Sequence, residues 1–185
     1  MLFSSNIFLF AFLPFVILVY YTVLRWSRVS QNVFLLAASL FFYAWGEPVF
    51  VLVMMSSIII NWAAGLFVSR FKASGNIPAA KAAVALAITF NLIIIFIFKY
   101  LNFTVVNINR LTGADISVPG IALPIGISFF TFQAISYVVD VYRDRGAAQK
   151  NILYVGLYIS FFPQLIAGPI VRYETVADQI MNRKE

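Results

Sequence analysis

The sequence predicts an all-α fold: a polytopic transmembrane protein with about five to six membrane-embedded helices. Three observations predict it. Of 185 residues, 62% are hydrophobic and 11% charged, and the mean hydropathy of +0.92 lies far outside the range of soluble domains. Six apolar stretches follow one another along the chain. Basic residues gather in the connections between them, where they act as topology signals and lipid-headgroup contacts. With no fixed-period repeat and no low-complexity tract, residues 1–185 read as a single membrane-embedded domain.

Ile7 to Leu24 is the first stretch. No basic residue precedes it and Arg25 and Arg28 follow it, the reverse of a signal peptide's charge layout, so it reads as a retained helix with its N-terminus outside. Val33 to Trp45 is short of the roughly 20 residues that a hydrocarbon core needs, and reads as a tilted, partly buried span or a re-entrant piece. Pro48, which lacks a backbone donor and disfavours helix at Glu47, makes a sharp turn of Gly46-Glu47-Pro48. Val49 to Val68 is long enough to span and is closed by Arg70 and Lys72. Ala82 to Phe98 follows the Ser74–Pro78 loop, with Lys99 and Tyr100 placed to snorkel and anchor. The more polar 102–120 segment, with its Thr112-Gly113-Ala114-Asp115 turn, is expected to be the longest non-spanning piece, part of it an interfacial helix. Ile121 to Tyr142 and Ile152 to Val171 complete the set, the helix of the former beginning after Pro124 and Gly126.

If all six cross, the connections after stretches one (Arg25, Arg28), three (Arg70, Lys72, Lys81) and five (Arg143, Arg145, Lys150) are cytoplasmic. The connections after two and four hold only Lys99 and Arg110.

The net charge of +6 does not point to nucleic acid, because the thirteen Lys and Arg form no basic helix face or aromatic-interleaved patch. Without Cys there is no disulfide or protein thioester, and without Cys or His a transition-metal site is not expected. Glycine-rich phosphate loops, carboxylate clusters for Mg²⁺ or Ca²⁺, and any Ser/His/Asp set are also missing.

Polar side chains inside apolar runs must find partners, so their spacing is informative. Ser57, Asn61 and Gly65 share one helix face and suggest a close-packed seam. Gln133, Ser136, Tyr137 and Asp140 fall at i, i+3, i+4 and i+7, a polar stripe. Asp140 is the one acid considered for proton chemistry, the other reading being an interfacial ion pair with Arg143. Gly156, Ser160, Gln164 and Gly168 repeat at four while Pro163 and Pro169 interrupt the helix, leaving two readings: a pathway lining in which Arg172 meets an anion, or a kink beside a snorkelling arginine. The candidate funnel or pathway residues are thus Gln133, Asp140, Arg143, Gln164 and Arg172, with no catalytic or metal-binding residue assigned.

Particular segments carry a resemblance. Phe3-Ser4-Ser5-Asn6 leading to Phe10-Ala11-Phe12-Leu13-Pro14, Leu40-Phe41-Phe42-Tyr43-Ala44-Trp45 and Phe98-Lys99-Tyr100-Leu101-Asn102-Phe103 resemble the N-terminal half of membrane-bound O-acyltransferases. Leu123-Pro124-Ile125-Gly126-Ile127-Ser128-Phe129-Phe130-Thr131-Phe132-Gln133, Tyr137, Asp140-Val141-Tyr142-Arg143 and Phe161-Phe162-Pro163-Gln164-Leu165-Ile166-Ala167-Gly168-Pro169-Ile170 extend the likeness over nearly the whole chain. Their order is most similar to the membrane subunits that O-acetylate alginate, with D-alanyl transfer proteins of teichoic acids more distant.

The resemblance implies a helical funnel that moves an acyl group from a donor thioester or acyl carrier to a polysaccharide hydroxyl. It also implies the bacterial inner membrane and accessory acetyltransferase proteins. The family's hallmark histidine lies in a later apolar segment, whereas this chain has no histidine. The expectation is therefore the N-terminal portion of a longer acyltransferase, inactive alone, with no cofactor of its own. Two other classes fit the polar pattern: a small transporter or channel component, whose flux would require Gln133 or Gln164, and a non-catalytic partner of a full-length enzyme.

Overall fold

The computed structural model describes residues 4–165, 168 and 171–182, which are helical with no strand. Helix α1 (Phe8–Val23) contains two wide turns, at Phe8–Phe12 and Val19–Val23, closed by Leu13 N–H to Phe8 O and Leu24 N–H to Val19 O. The first directly precedes Pro14, whose ring would otherwise crowd the carbonyl one turn back.

Helix α2 (Arg28–Gly46) begins five residues earlier than the apolar pattern suggested. Ser27 caps it, its hydroxyl accepting the Ser30 N–H at 3.3 Å. Gln31 and Asn32, polar enough to look like loop, are buried because each has a distant acceptor: Tyr20 O at 3.4 Å and Ile180 O at 2.8 Å. At 19 residues, and partly buried, α2 is long and apolar enough to span, in keeping with the partly buried span of the two expected readings.

After the turn at Pro48, α3 (Val51–Ala73) packs against three later helices. Helix α4 (Ile77–Thr112) starts on Asn76, whose side chain accepts the Ala79 N–H at 3.1 Å, and runs for 36 residues through a wide turn at Phe96–Tyr100. The helical part expected within the 102–120 segment is thus present, but as a continuation of α4 and not as a separate piece. Thr104, Asn107 and Thr112 return their side-chain donors to the carbonyls four residues back at 2.7–2.8 Å, so their polarity is compatible with helix. The extended segment beyond Gly113 is tied back along the helix: Asn109 brackets the Ile116 peptide and Asn102 donates to Ile121 O.

Helix α5 (Ile127–Tyr142) begins on Gly126, as the Pro-Gly signal required. Gly126 has φ +75°, and a Cβ there would sit 3.0 Å from Leu165 O, so both conformation and space call for glycine. The sixth stretch does not form one span. Helix α6 (Ile152–Ser160) stops at Phe161, a four-residue turn α7 (Phe162–Leu165) follows, and α8 (Tyr173–Asn182) comes after it. Pro163 is the reason: a continuous helix would orphan the Ile159 carbonyl and push the ring against it. Pro169, the second expected interruption, lies outside the described residues, as does Phe3.

Among the described residues three helices, α2 to α4, are long and apolar enough to cross a membrane, and α1 and α5 are shorter apolar helices. The chain is an all-α membrane protein.

Two cores hold it together. The smaller joins Phe8 and Phe12 of α1, Phe42 of α2 and Phe162 of α7, with ring centroids 5.5–6.1 Å apart. The larger gathers α3, α4, α5, α6 and α8. Its seam is the predicted one: Asn61 lies opposite Asn91 of α4, and the two amides exchange hydrogen bonds of 3.2 and 2.7 Å. Gly65 meets α5, where an added Cβ would lie 2.6 Å from the Tyr137 ring.

Two outcomes follow for stability in detergent. Asn61→Leu alone orphans the Asn91 amide and is expected to cost about 1–2 kcal/mol, whereas Asn61→Leu/Asn91→Leu recovers most of it, as a thermal-unfolding double-mutant cycle would show. Gly65→Val must displace Tyr137 and is expected to cost at least ~1–3 kcal/mol in the same assay.

Candidate functional site

The α5 stripe is the origin of the site. Its four residues point along one face but go to three different partners. Gln133, 2% exposed, donates from Nε2 to Gln164 Oε1 of α7 at 3.0 Å, so two sequence-derived candidates 31 residues apart meet. Gln133 Oε1 and Thr131 Oγ1, two positions apart and so on different faces of α5, are buried with no hydrogen-bond partner among the described residues.

One turn on, Ser136 and Asp140 hold the start of α8. Asp140 Oδ2 accepts from Ser136 Oγ at 3.1 Å and from the Glu174 N–H at 3.2 Å, and Ser136 Oγ accepts the Tyr173 N–H at 3.2 Å. Two helix-initiating N–H groups are thus satisfied by side chains of another helix, and a carboxylate there complements the positive end of the helix dipole. Asp140 is 4% exposed, and no ion pair joins it to Arg143 among the described residues. The interfacial ion pair is therefore not what is found: Arg143 lies beyond the helix and is exposed, while Asp140 turns toward α8.

Tyr137 takes the third direction. Its hydroxyl accepts the Gln149 N–H at 3.2 Å, and its ring meets Tyr173 edge-on at 4.9 Å. Gln149 also donates from its side chain to Tyr173 Oη at 2.8 Å and accepts from Trp62 Nε1 at 3.0 Å, so one loop residue ties α3, α5 and α8.

Four of the five candidates border two separate openings, and Gln133 lines neither. Asp140, Arg143 and Arg172 line an open cleft of about 420 Å³ together with Arg145. Arg145 and Arg172 share the Glu174 carboxylate, each at 3.4 Å. Gln164 instead borders a cavity of about 140 Å³ beside Leu35, Tyr158 and Gln179. Gly156 and Ser160 are packing elements: a Cβ at Gly156 would meet Leu36 at 3.3 Å, and Ser160 donates to the Gly156 carbonyl. Gly168 is described, but Pro169 of that set lies outside the described residues. No cluster of potential metal ligands occurs among the described residues.

Sequence reasoning missed Asn91, Gln149, Asn32 and Arg145. Asn91 sits inside the Ala82–Phe98 run, and the rule that flagged Asn61 applies to it equally. Gln149 lies in a loop, where a buried glutamine leaves no periodic signal.

The chain is similar to known proteins along nearly its whole length. It is 39% identical over 188 residues to a probable alginate O-acetylase of Pseudomonas aeruginosa, an alignment covering 99% of this chain and 35% of that protein. The probable alginate O-acetylase of Pseudomonas syringae pv. tomato gives the same identity and coverages. A peptidoglycan O-acetyltransferase of Helicobacter pylori is 28% identical over 209 residues, covering 99% of the chain and 39% of that protein. No protein-family model and no solved structure matches it. The chain spans about a third of the length of the curated relatives it matches. Its motifs, its helical membrane fold and this likeness agree: over 99% of its length the chain is similar to the alginate O-acetylases.

Proposed function

We propose that this chain forms part of the membrane-embedded wall of an O-acyltransferase that transfers acetyl to hydroxyls of an exported or cell-surface polysaccharide such as alginate. The observation that carries this reading is the likeness over 99% of the chain to proteins named as O-acetylases of two different polysaccharides. The Gln133–Gln164 pair is in keeping with it, since it sets two polar side chains from different helices together inside an otherwise apolar bundle.

The donor is an acetyl thioester or acyl carrier. The acceptor oxygen bonds to the acetyl carbon, the carbon–sulfur bond breaks, and the hydroxyl proton passes through a base to the departing thiol. Imidazole suits that base at neutral pH, and this chain has none, so the base comes from outside these 185 residues and the chain alone is inactive. The enzyme sits in the bacterial inner membrane with this chain's N-terminus outside, in keeping with Arg25, Arg28, Arg70, Lys72 and Lys81 on the cytoplasmic side. Accessory acetyltransferase proteins complete the system.

The test substitutes this chain for the matching third of the Pseudomonas aeruginosa relative and measures acetyl ester on alginate. Ester formation is expected from the membrane-inserted chimera, reduced roughly tenfold by Gln133→Leu, the scale of one lost hydrogen bond near the reacting group. The isolated chain, given acetyl-CoA and polymannuronate, is expected to form no ester. Turnover by the isolated chain that disappears in Asp140→Asn would contradict the proposal.

A further inference from the structure

The cleft beside α5 has two unlike halves. Phe132, Ile135 and Val139 form an apolar wall on α5, with Phe132 45% exposed. Arg143 and Arg145, just past the end of α5, and Arg172, just before α8, form the other end. From Phe132 to Arg143 is eleven residues, roughly 16 Å at helical rise. That matches one leaflet, about half of a ~30 Å hydrocarbon core.

The charges at the basic end are incompletely neutralised. Asp140 is turned to Ser136 and the Glu174 N–H, and the single Glu174 carboxylate is shared by Arg145 and Arg172 at 3.4 Å each. Arg143 makes no ion pair among the described residues. Three guanidiniums around one cleft, with two carboxylates already engaged, favour an anion whose oxygens accept several N–H groups together.

We infer that this cleft is a binding site for a phosphate-headed amphiphile, its phosphate held by Arg143, Arg145 and Arg172 and its hydrocarbon lying along Phe132, Ile135 and Val139. The apolar wall favours an anionic phospholipid of the adjoining leaflet over a free phosphate. The inference stands apart from the acetyl-transfer reading, since it needs neither donor nor acceptor.

The experiment titrates the full chain in detergent with phosphatidylglycerol, phosphatidylcholine or inorganic pyrophosphate, and counts adducts by native mass spectrometry. One preferred phosphatidylglycerol site is expected, weakened roughly tenfold or more by Arg143→Gln/Arg172→Gln and measurably by Arg143→Gln alone. Lys81→Gln, an exposed lysine on α4, should leave it unchanged. Arg143→Gln removes no intramolecular ion pair among the described residues, so unchanged helicity by circular dichroism is expected to accompany the loss. Equal binding of both lipids, wild-type binding by the Arg variants, or an equal effect of Lys81→Gln would overturn the inference. Pyrophosphate displacing the lipid at comparable concentration would show a site for soluble phosphoesters and overturn its lipid half.

Discussion

Everything at the C-terminal side of this bundle depends on how one helix disposes of its polar groups away from water. Helix α5 carries an amide, a hydroxyl, a phenol and a carboxylate on a single face, and in an apolar surrounding each needs a partner from the protein. The solution is distributive. The amide reaches α7, the hydroxyl and carboxylate take the first N–H groups of α8, and the phenol takes a backbone N–H from the loop between α5 and α6. Without Ser136 and Asp140, the leading peptide groups of α8 would lose these two acceptors, and with them the anchor of Tyr173.

The existence and order of most helices, though not their lengths, were legible in the sequence because they follow from hydropathy and punctuation. Pro48 marked the turn before α3, and Pro124 with Gly126 marked the start of α5. Failures arose where polarity was satisfied by groups that periodicity does not reveal. Gln31 and Asn32 read as loop because their acceptors, Tyr20 O and Ile180 O, come from other parts of the chain. The second half of α4 read as a separate non-spanning segment because Thr104, Asn107 and Thr112 satisfy themselves locally, a device that composition cannot distinguish from a turn.

The candidate site divides along the same line. Each of Gln133 and Gln164 was visible as a polar residue in an apolar run, yet their pairing is tertiary. Asp140 was visible as a lone acid on an apolar helix, but its nearest charged neighbour in sequence is not its partner; Glu174 N–H of α8, 34 residues away, is. The motifs that carried the family likeness also converge: Phe12, Phe42 and Phe162, each from a different motif, share one aromatic core. Segments that look like independent signatures thus include parts of one packing unit, which gives a physical reason for the three to occur together.

The break at Phe161 has a topological result. Because the carboxylate near the end of α5 touches the first peptides of α8, the excursion made by α6 and α7 departs from and comes back to one level of the protein. Such a loop adds no net traversal, so which compartment faces Arg143 and Arg172 is decided by the parity of the helices before it. Both arginines therefore report the same side, and a side-specific label placed at either position reads the orientation of the other.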